Sequence, residues 1–220
     1  MAVSGAAQAV EISVTLTNLT GGMYFTPRLL VAHTSAVDMF EVGTAASTGL
    51  ATIAEGGDTS VLGAALDATP DNNRHQSFGG LLAPATVSAV YSFETDDHPY
   101  LSMAAMLLPT NDAFVGLDSW VIPTEPGTYT INLNAYDAGT EANDEIVNGG
   151  GALGVPGIPV DPGGNAGTGG TGVTATEANN TVHIHRGNIG DDNPTGGASD
   201  VSNSVHRWLN PVARLTVTIN

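Results

Sequence analysis

Residues 109–145 read PTNDAFVGLDSWVIPTEPGTYTINLNAYDAGTEANDE. The stretch opens on an acidic turn with Asp112 and Asp118. A strand-like run follows from Tyr129 to Tyr136, and then a second acidic turn, Asp137-Ala138-Gly139-Thr140-Glu141. In an antiparallel sandwich, two turns that flank one strand can meet a third loop at one end of the sheets. Oxygen-rich loops that meet this way suit a hard cation, and Ca²⁺ takes about six to eight such oxygens. The alternative is plain solvated turns, because Asp, Asn and Gly favour turns in any case. Immediately upstream, Tyr100–Leu108 (YLSMAAMLL) is almost continuously apolar, which predicts a central strand buried on both faces. That strand delivers the chain straight into Asn111-Asp112.

Working outward, AVEISVTLTNL (9–19) alternates apolar and polar residues and predicts a half-buried strand. Arg28–Ala32 predicts another, ended by His33, a structural histidine on this reading. The period changes over 44–66, where Ser47 and Asp58-Thr59-Ser60 offer caps for one or two short helices. Residues 67–80 read as a polar loop and Val87–Thr95 as a strand. Val212–Ile219 alternates strictly and predicts a closing strand beside the first. Between these lies a Gly/Pro-rich insertion, about 148–174, too punctuated for regular structure. The sum is an all-β, antiparallel sandwich of about seven to nine strands. It forms one domain over residues 1–220 that carries the insertion.

Composition narrows the function. The chain has 22 acidic residues against 5 basic ones and a formal net charge of −17. That field repels nucleic acid and anionic membranes and attracts divalent cations. Lysine is absent, so Arg28, Arg74, Arg186, Arg207 and Arg214 are the only fixed cations. There is no cysteine, hence neither a disulfide framework nor a thiolate site. No apolar run approaches the length of a membrane span. The opening MAVSGAAQAVEISV has neither a basic nor an apolar leader region and reads as a mature secreted chain with a start Met.

Two further patterns carry ligand chemistry. His183 and His185 sit two apart in Thr181-Val182-His183-Ile184-His185, on one face of a strand. With His206 as a third donor they could hold Zn²⁺ or Cu²⁺, and the alternative is a polar strand face. Asp191-Asp192-Asn193-Pro194-Thr195-Gly196 looks like the first half of a calcium loop. It has Ser202 where such a loop needs its closing Glu, so it reads as a turn. No G-x-S-x-G elbow, H-E-x-x-H helix or Walker loop appears, which argues against an enzyme.

N-D-A-F-V-G-L-D and Y-D-A-G-T-E resemble the two signature segments of the spondin N-terminal domain family. Ala32-His33, Phe40-Glu41-Val42-Gly43, Ala46-Ser47-Thr48-Gly49-Leu50 and Ala54-Glu55-Gly56-Gly57-Asp58 agree in order. The closing H-R-W-L-N-P-V-A-R (206–214) is similar to the bacterial, secreted single-domain branch. The resemblance implies a C2-like, immunoglobulin-like β-sandwich with a bound calcium ion and no known reaction. It supports Asp112, Asp137 and Glu141 as calcium ligands most directly, because they lie inside the matching segments. Asp118 has a second reading, bracing its loop by accepting backbone N–H groups.

The expected function is therefore a secreted, acidic, calcium-binding module of extracellular matrix, cell adhesion or biofilm type. Its partner would be an extracellular protein or polysaccharide, or other copies of itself in fibres or layers, with no nucleic acid and no membrane span. The first alternative is an extracellular or periplasmic Cu/Zn-binding protein using His183, His185 and His206. The second is a hydrolase.

Overall fold

The structure is a computed structural model that describes residues 10–71, 73–164, 166–174, 176 and 179–220. The mature-chain reading of the N-terminus falls largely on residues 1–9, outside the described residues. Eight strands have four residues or more: β1 (Glu11–Asn18), β3 (Arg28–His33), β4 (Arg74–Phe78), β5 (Tyr91–Glu94), β6 (Tyr100–Leu108), β7 (Ala113–Val121), β8 (Gly127–Asp137) and β10 (Ala213–Ile219). Two short strands, β2 (Tyr24–Phe25) and β9 (His183–Ile184), bring the number to ten among the described residues. Among the described residues there are two helices, α1 (Thr48–Gly56) and α2 (Ser60–Asp67).

All the strand pairs are antiparallel, so the all-β expectation holds. They follow one continuous path, β4-β3-β6-β7-β8-β10-β1-β5, with β2 on β6 and β9 on β8. The closing strand pairs the first along its whole length, from Ile12↔Ile219 to Asn18↔Ala213. β8 changes partner midway. Gly127–Leu133 pairs with β10, and Asn134–Asp137 pairs with the start of β7. The path curls until its two ends approach, with the Phe78 (β4) and Tyr91 (β5) rings 4.2 Å apart. The sheet is thus barrel-like.

Side-chain alternation explains why this curl is stable. Ile12, Val14 and Leu16 of β1, Leu215, Val217 and Ile219 of β10, and Leu101, Met103, Ala105 and Leu107 of β6 fill the interior. Leu29 and Val31 of β3, Ala104 of β6 and Phe114 of β7 face the other way. There they are covered by Leu50, Ile53 and Ala54 of α1 and Leu62 and Leu66 of α2. β6 therefore has core on both faces, as its unbroken apolar run predicts. Each large apolar side chain buried in these cores stabilises by about 1.5–3 kcal/mol.

The helices form where the caps predict. The Ser47 hydroxyl accepts the Leu50 N–H at 3.2 Å, and Gly57, at φ 71°, ends α1 by donating to the Ile53 carbonyl. The Asp58 carboxylate accepts the Ser60 N–H at the start of α2.

Two sequence expectations are corrected. Residues 67–80 are not wholly loop: Arg74–Phe78 is an edge strand on β3. It is polar and mostly exposed, so it lacks a hydrophobic period. The segment after Asn111 is not one long turn either, because Ala113–Val121 is β7 and Asp118 lies within it.

The 148–174 insertion contains no helix and no named strand among its described residues, only a bridge between Val147 and Ile158 at its edge. It is nonetheless anchored to the body of the chain. Gly56 packs so closely on Gly151 that a Cβ there would stand 1.9 Å from the Gly151 carbonyl oxygen. The Asp200 carboxylate accepts the N–H groups of Val147, Thr168, Gly169 and Gly170. Carboxylates of the same chain, Asp200, Glu55 and Glu141, hold the insertion.

Candidate functional site

The acidic cluster is built at the corner where β7 begins and β8 ends. Ala113 pairs with Asp137, which places Asp112 and Asp137 side by side across the two strands. Both are buried, as is Glu141. Gly139, at φ 69°, makes the tight turn between Asp137 and Glu141. A Cβ on it would stand 2.6 Å from the Thr181 backbone nitrogen, so only glycine fits. The turn wraps over Asp112, whose Oδ2 accepts the N–H groups of Thr140 (2.8 Å) and Glu141 (3.1 Å). The Asp137 carboxylate accepts the Gly139 N–H through Oδ1 and the Asn143 amide through Oδ2. Glu141 Oε2 accepts the Gly157 N–H from the insertion at 2.9 Å.

The cluster is left electrostatically unfinished. Asp112 Oδ1 and Glu141 Oε1 are buried and have no hydrogen-bond partner. Burial, with the neighbouring Asp137 carboxylate adding to it, pushes the Asp112 carboxyl up to about 7. Burial, with the Glu55 and Asp112 carboxylates adding to it, pushes Glu141 up to about 7 as well. Each shift is opposed in part by donors, the Thr140 and Glu141 N–H groups and the Thr140 hydroxyl at Asp112, and the Gly157 N–H and the Asn111 side chain at Glu141. Carboxylate oxygens are the donor type that a hard cation takes. Among the described residues no group of three or more His, Asp or Glu side chains is arranged to hold a metal ion. Backbone carbonyls, side-chain amides or water would have to complete the shell.

Asp118 does not join Asp112, Asp137 and Glu141. Its Oδ1 accepts the Met39 N–H at 2.9 Å and lies 3.5 Å from the Ser102 hydroxyl. That is the bracing role, and it ties the loop before α1 to β7. Sequence reasoning missed Glu55 as a member of the cluster. It is buried at the end of α1, and its Oε2 accepts the Gly154 N–H. The available signal was a charge inside the otherwise apolar helix TGLATIAEG.

The histidines separate into two places. His183 and His185 both face Asp137, with Nε2 3.6 Å and 3.8 Å from its Oδ2. His185 is fully committed: its Nδ1 accepts the Gly187 N–H and its Nε2 lies 3.0 Å from Asn143 Oδ1. Burial, then the nearby Arg186 and His183, pushes it down to about 3, so it stays neutral. His183 points Nδ1 at the Thr181 carbonyl (2.7 Å), which leaves the Nε2 lone pair towards Asp137. His206 sits elsewhere, with Nδ1 accepting the Ser202 N–H and Nε2 3.7 Å from Asp161. The third donor of the sequence reading is therefore absent from the pair. His206→Ala should leave zinc or copper affinity within about twofold of wild type, while His183→Ala should abolish whatever affinity exists. Competition with a chromogenic chelator measures both, and equal losses would restore the three-histidine site.

The loop 191–196 is a turn, not a calcium loop. Asp191 spends its carboxylate on the N–H groups of Asn193, Ala198 and Ser199.

Fold and site together define an antiparallel β domain with a preformed acidic corner that two turns and a helix end enclose. The Spondin_N family model matches residues 19–145, more than half of the chain. The chain belongs to the spondin N-terminal family. The match covers α1, both acidic turns and Glu55, and stops before the insertion and the three histidines. No curated protein matches the chain.

Proposed function

We propose that this protein is a secreted, non-catalytic, calcium-binding module of C2-like β-sandwich type, working as one domain in an extracellular matrix, adhesion or self-assembling layer. The observation that carries the calcium reading is the pair of buried carboxylate oxygens, Asp112 Oδ1 and Glu141 Oε1, with no hydrogen-bond partner. A buried carboxylate oxygen without a partner is stabilised by a proton or a cation. Asp112, Asp137 and Glu141 would hold the ion, and Glu55 adds to the local negative field. The ion would supply the positive charge that lets these carboxylates ionise together and would tie the two turns into one rigid corner. Family membership supports the extracellular setting. No described helix is long and apolar enough to cross a membrane.

Isothermal titration with CaCl₂ in buffers of different ionisation enthalpy tests the reading. One ion should bind per chain and release protons near pH 7, because both carboxyls titrate at about 7 when free. Affinity should rise between about pH 6 and about pH 8. Absence of calcium heat across that range, for wild type and Glu141→Gln alike, would sink it. The second reading, a transition metal on His183 and Asp137, is supported by the outward lone pair of His183 Nε2. Zinc binding that His183→Ala abolishes would favour it.

A further inference from the structure

A second feature lies in the part of the chain that the family match does not cover. Leu19, Thr20 and Gly21, Arg186 and Asn188, and Arg207 to Leu209 line a groove of about 540 Å³. Its charge is opposite to that of the molecule. Of the five arginines, Arg28 is buried against Phe78 and the Gly80 carbonyl, Arg74 is paired with Asp96, and Arg214 stands exposed on β10. Arg186 and Arg207 converge on the groove. Among the described residues neither has a carboxylate within ion-pairing distance, although the chain carries 22 acidic residues.

The cations are positioned, and apolar side chains flank them. Arg207 directs Nε at the Asn188 carbonyl (3.4 Å), and Asn188 is itself held by its amide on the Pro109 carbonyl (3.0 Å). Bonding through Nε leaves the terminal fork of the guanidinium for a bidentate acceptor. Leu209 is 89% exposed and Leu19 is 41% exposed, so both offer apolar surface beside the two cations. The floor is Trp208, which is buried and whose indole N–H has no hydrogen-bond partner.

We propose that this groove is a docking site for an acidic peptide segment of a partner protein, one that alternates carboxylate and aliphatic side chains. The two arginines would take the carboxylates and the two leucines the aliphatic groups. A uronate polysaccharide fits less well. Sugar rings stack on exposed aromatic faces, and the only aromatic residue in the groove is nine-tenths buried. The calcium reading is not a premise, because none of these residues belongs to the Asp112 cluster.

The test uses the full chain and a fluorescein-labelled Glu-Leu repeat peptide, read by anisotropy at low and high salt. Wild type should bind, with affinity falling steeply as salt rises. Arg186→Glu/Arg207→Glu should weaken binding by about tenfold or more, and Leu209→Ser by a smaller factor. All these side chains are at the surface, so the melting temperature should be unchanged, which keeps a binding loss interpretable. In a Trp120→Phe background, Trp208 emission should shift on binding. Binding that the double variant leaves intact overturns the proposal. So does tighter, arginine-dependent binding of polygalacturonate, or an arginine-dependent dimer in sedimentation, since each assigns the groove another occupant.

Discussion

Calcium at about a hundredfold excess over its Kd is expected to stabilise the wild-type fold by about 2.7 kcal/mol. For a chain of this length that raises Tm by about 5–11 °C. Asp112→Asn and Glu141→Gln should each remove most of the shift, because each neutralises one of the two buried carboxylates whose oxygens lack partners. Without calcium the two variants should behave in the opposite way. The folded protein holds the Asp112 and Glu141 protons up to about pH 7, whereas in the unfolded chain they leave near pH 4. Between those values the folded state binds more protons, so ion-free stability falls as pH rises through about 7. Asp112→Asn removes its own share of that loss, and its amide oxygen can still accept the Thr140 and Glu141 N–H groups. The ion-free variant should then match or exceed ion-free wild type at about pH 8. Scanning calorimetry at about pH 5 and pH 8, with EGTA or calcium, measures all four states. A calcium shift of equal size in wild type and Asp112→Asn would place the ion elsewhere.

Asp200→Ala should be the most damaging single change outside the core. It strands the N–H groups of Val147, Thr168, Gly169 and Gly170 at once. Buried unsatisfied donors cost about 1–3 kcal/mol each, and water reaches some of these, so the total should be about 3–5 kcal/mol. Asp192→Ala, on an exposed neighbour, should cost less than about 0.5 kcal/mol. Burial pulls the Asp200 carboxyl upward, but the Gly170, Val147 and Thr168 donors outweigh it and hold it below the usual range. A lowered folded value means that its contribution is present above about pH 4 and is lost as pH falls through the folded value. The sign is opposite to that of Asp112. Limited proteolysis followed by mass spectrometry should find new cuts confined to about 146–174 in Asp200→Ala. An unchanged cleavage pattern would mean that the insertion is held by something else.

What the sequence revealed depended on whether burial left a period in it. β1 and β10 alternate because one face meets the core, and β6 is unbroken because both faces do. β4 (RHQSF) is an edge strand that buries little, so it has no pattern to read. Asp112, Asp137 and Glu141 were legible because a buried strand feeds one turn and a glycine shapes the other. Of the two readings of Asp118 the bracing one holds, because the residue continues β7 away from the corner and accepts the Met39 N–H. Glu55 left only the faint signal of a charge in an apolar helix, and Asp200 left none. Their partners are backbone N–H groups or distant carboxylates, and neither constrains the neighbouring residue types.

The antiparallel pairing of β1 with β10 sets Ile12 opposite Ile219, so the two ends of the described β fold lie side by side. A pull applied between those ends acts across the strands rather than along them. The ladder would then open one rung after another from Ile12 towards Asn18, instead of shearing all its hydrogen bonds together. A joint loaded in that direction would give way more readily than one loaded along its strands. The load-resistant direction runs along the strands, through attachment points at opposite ends of the barrel.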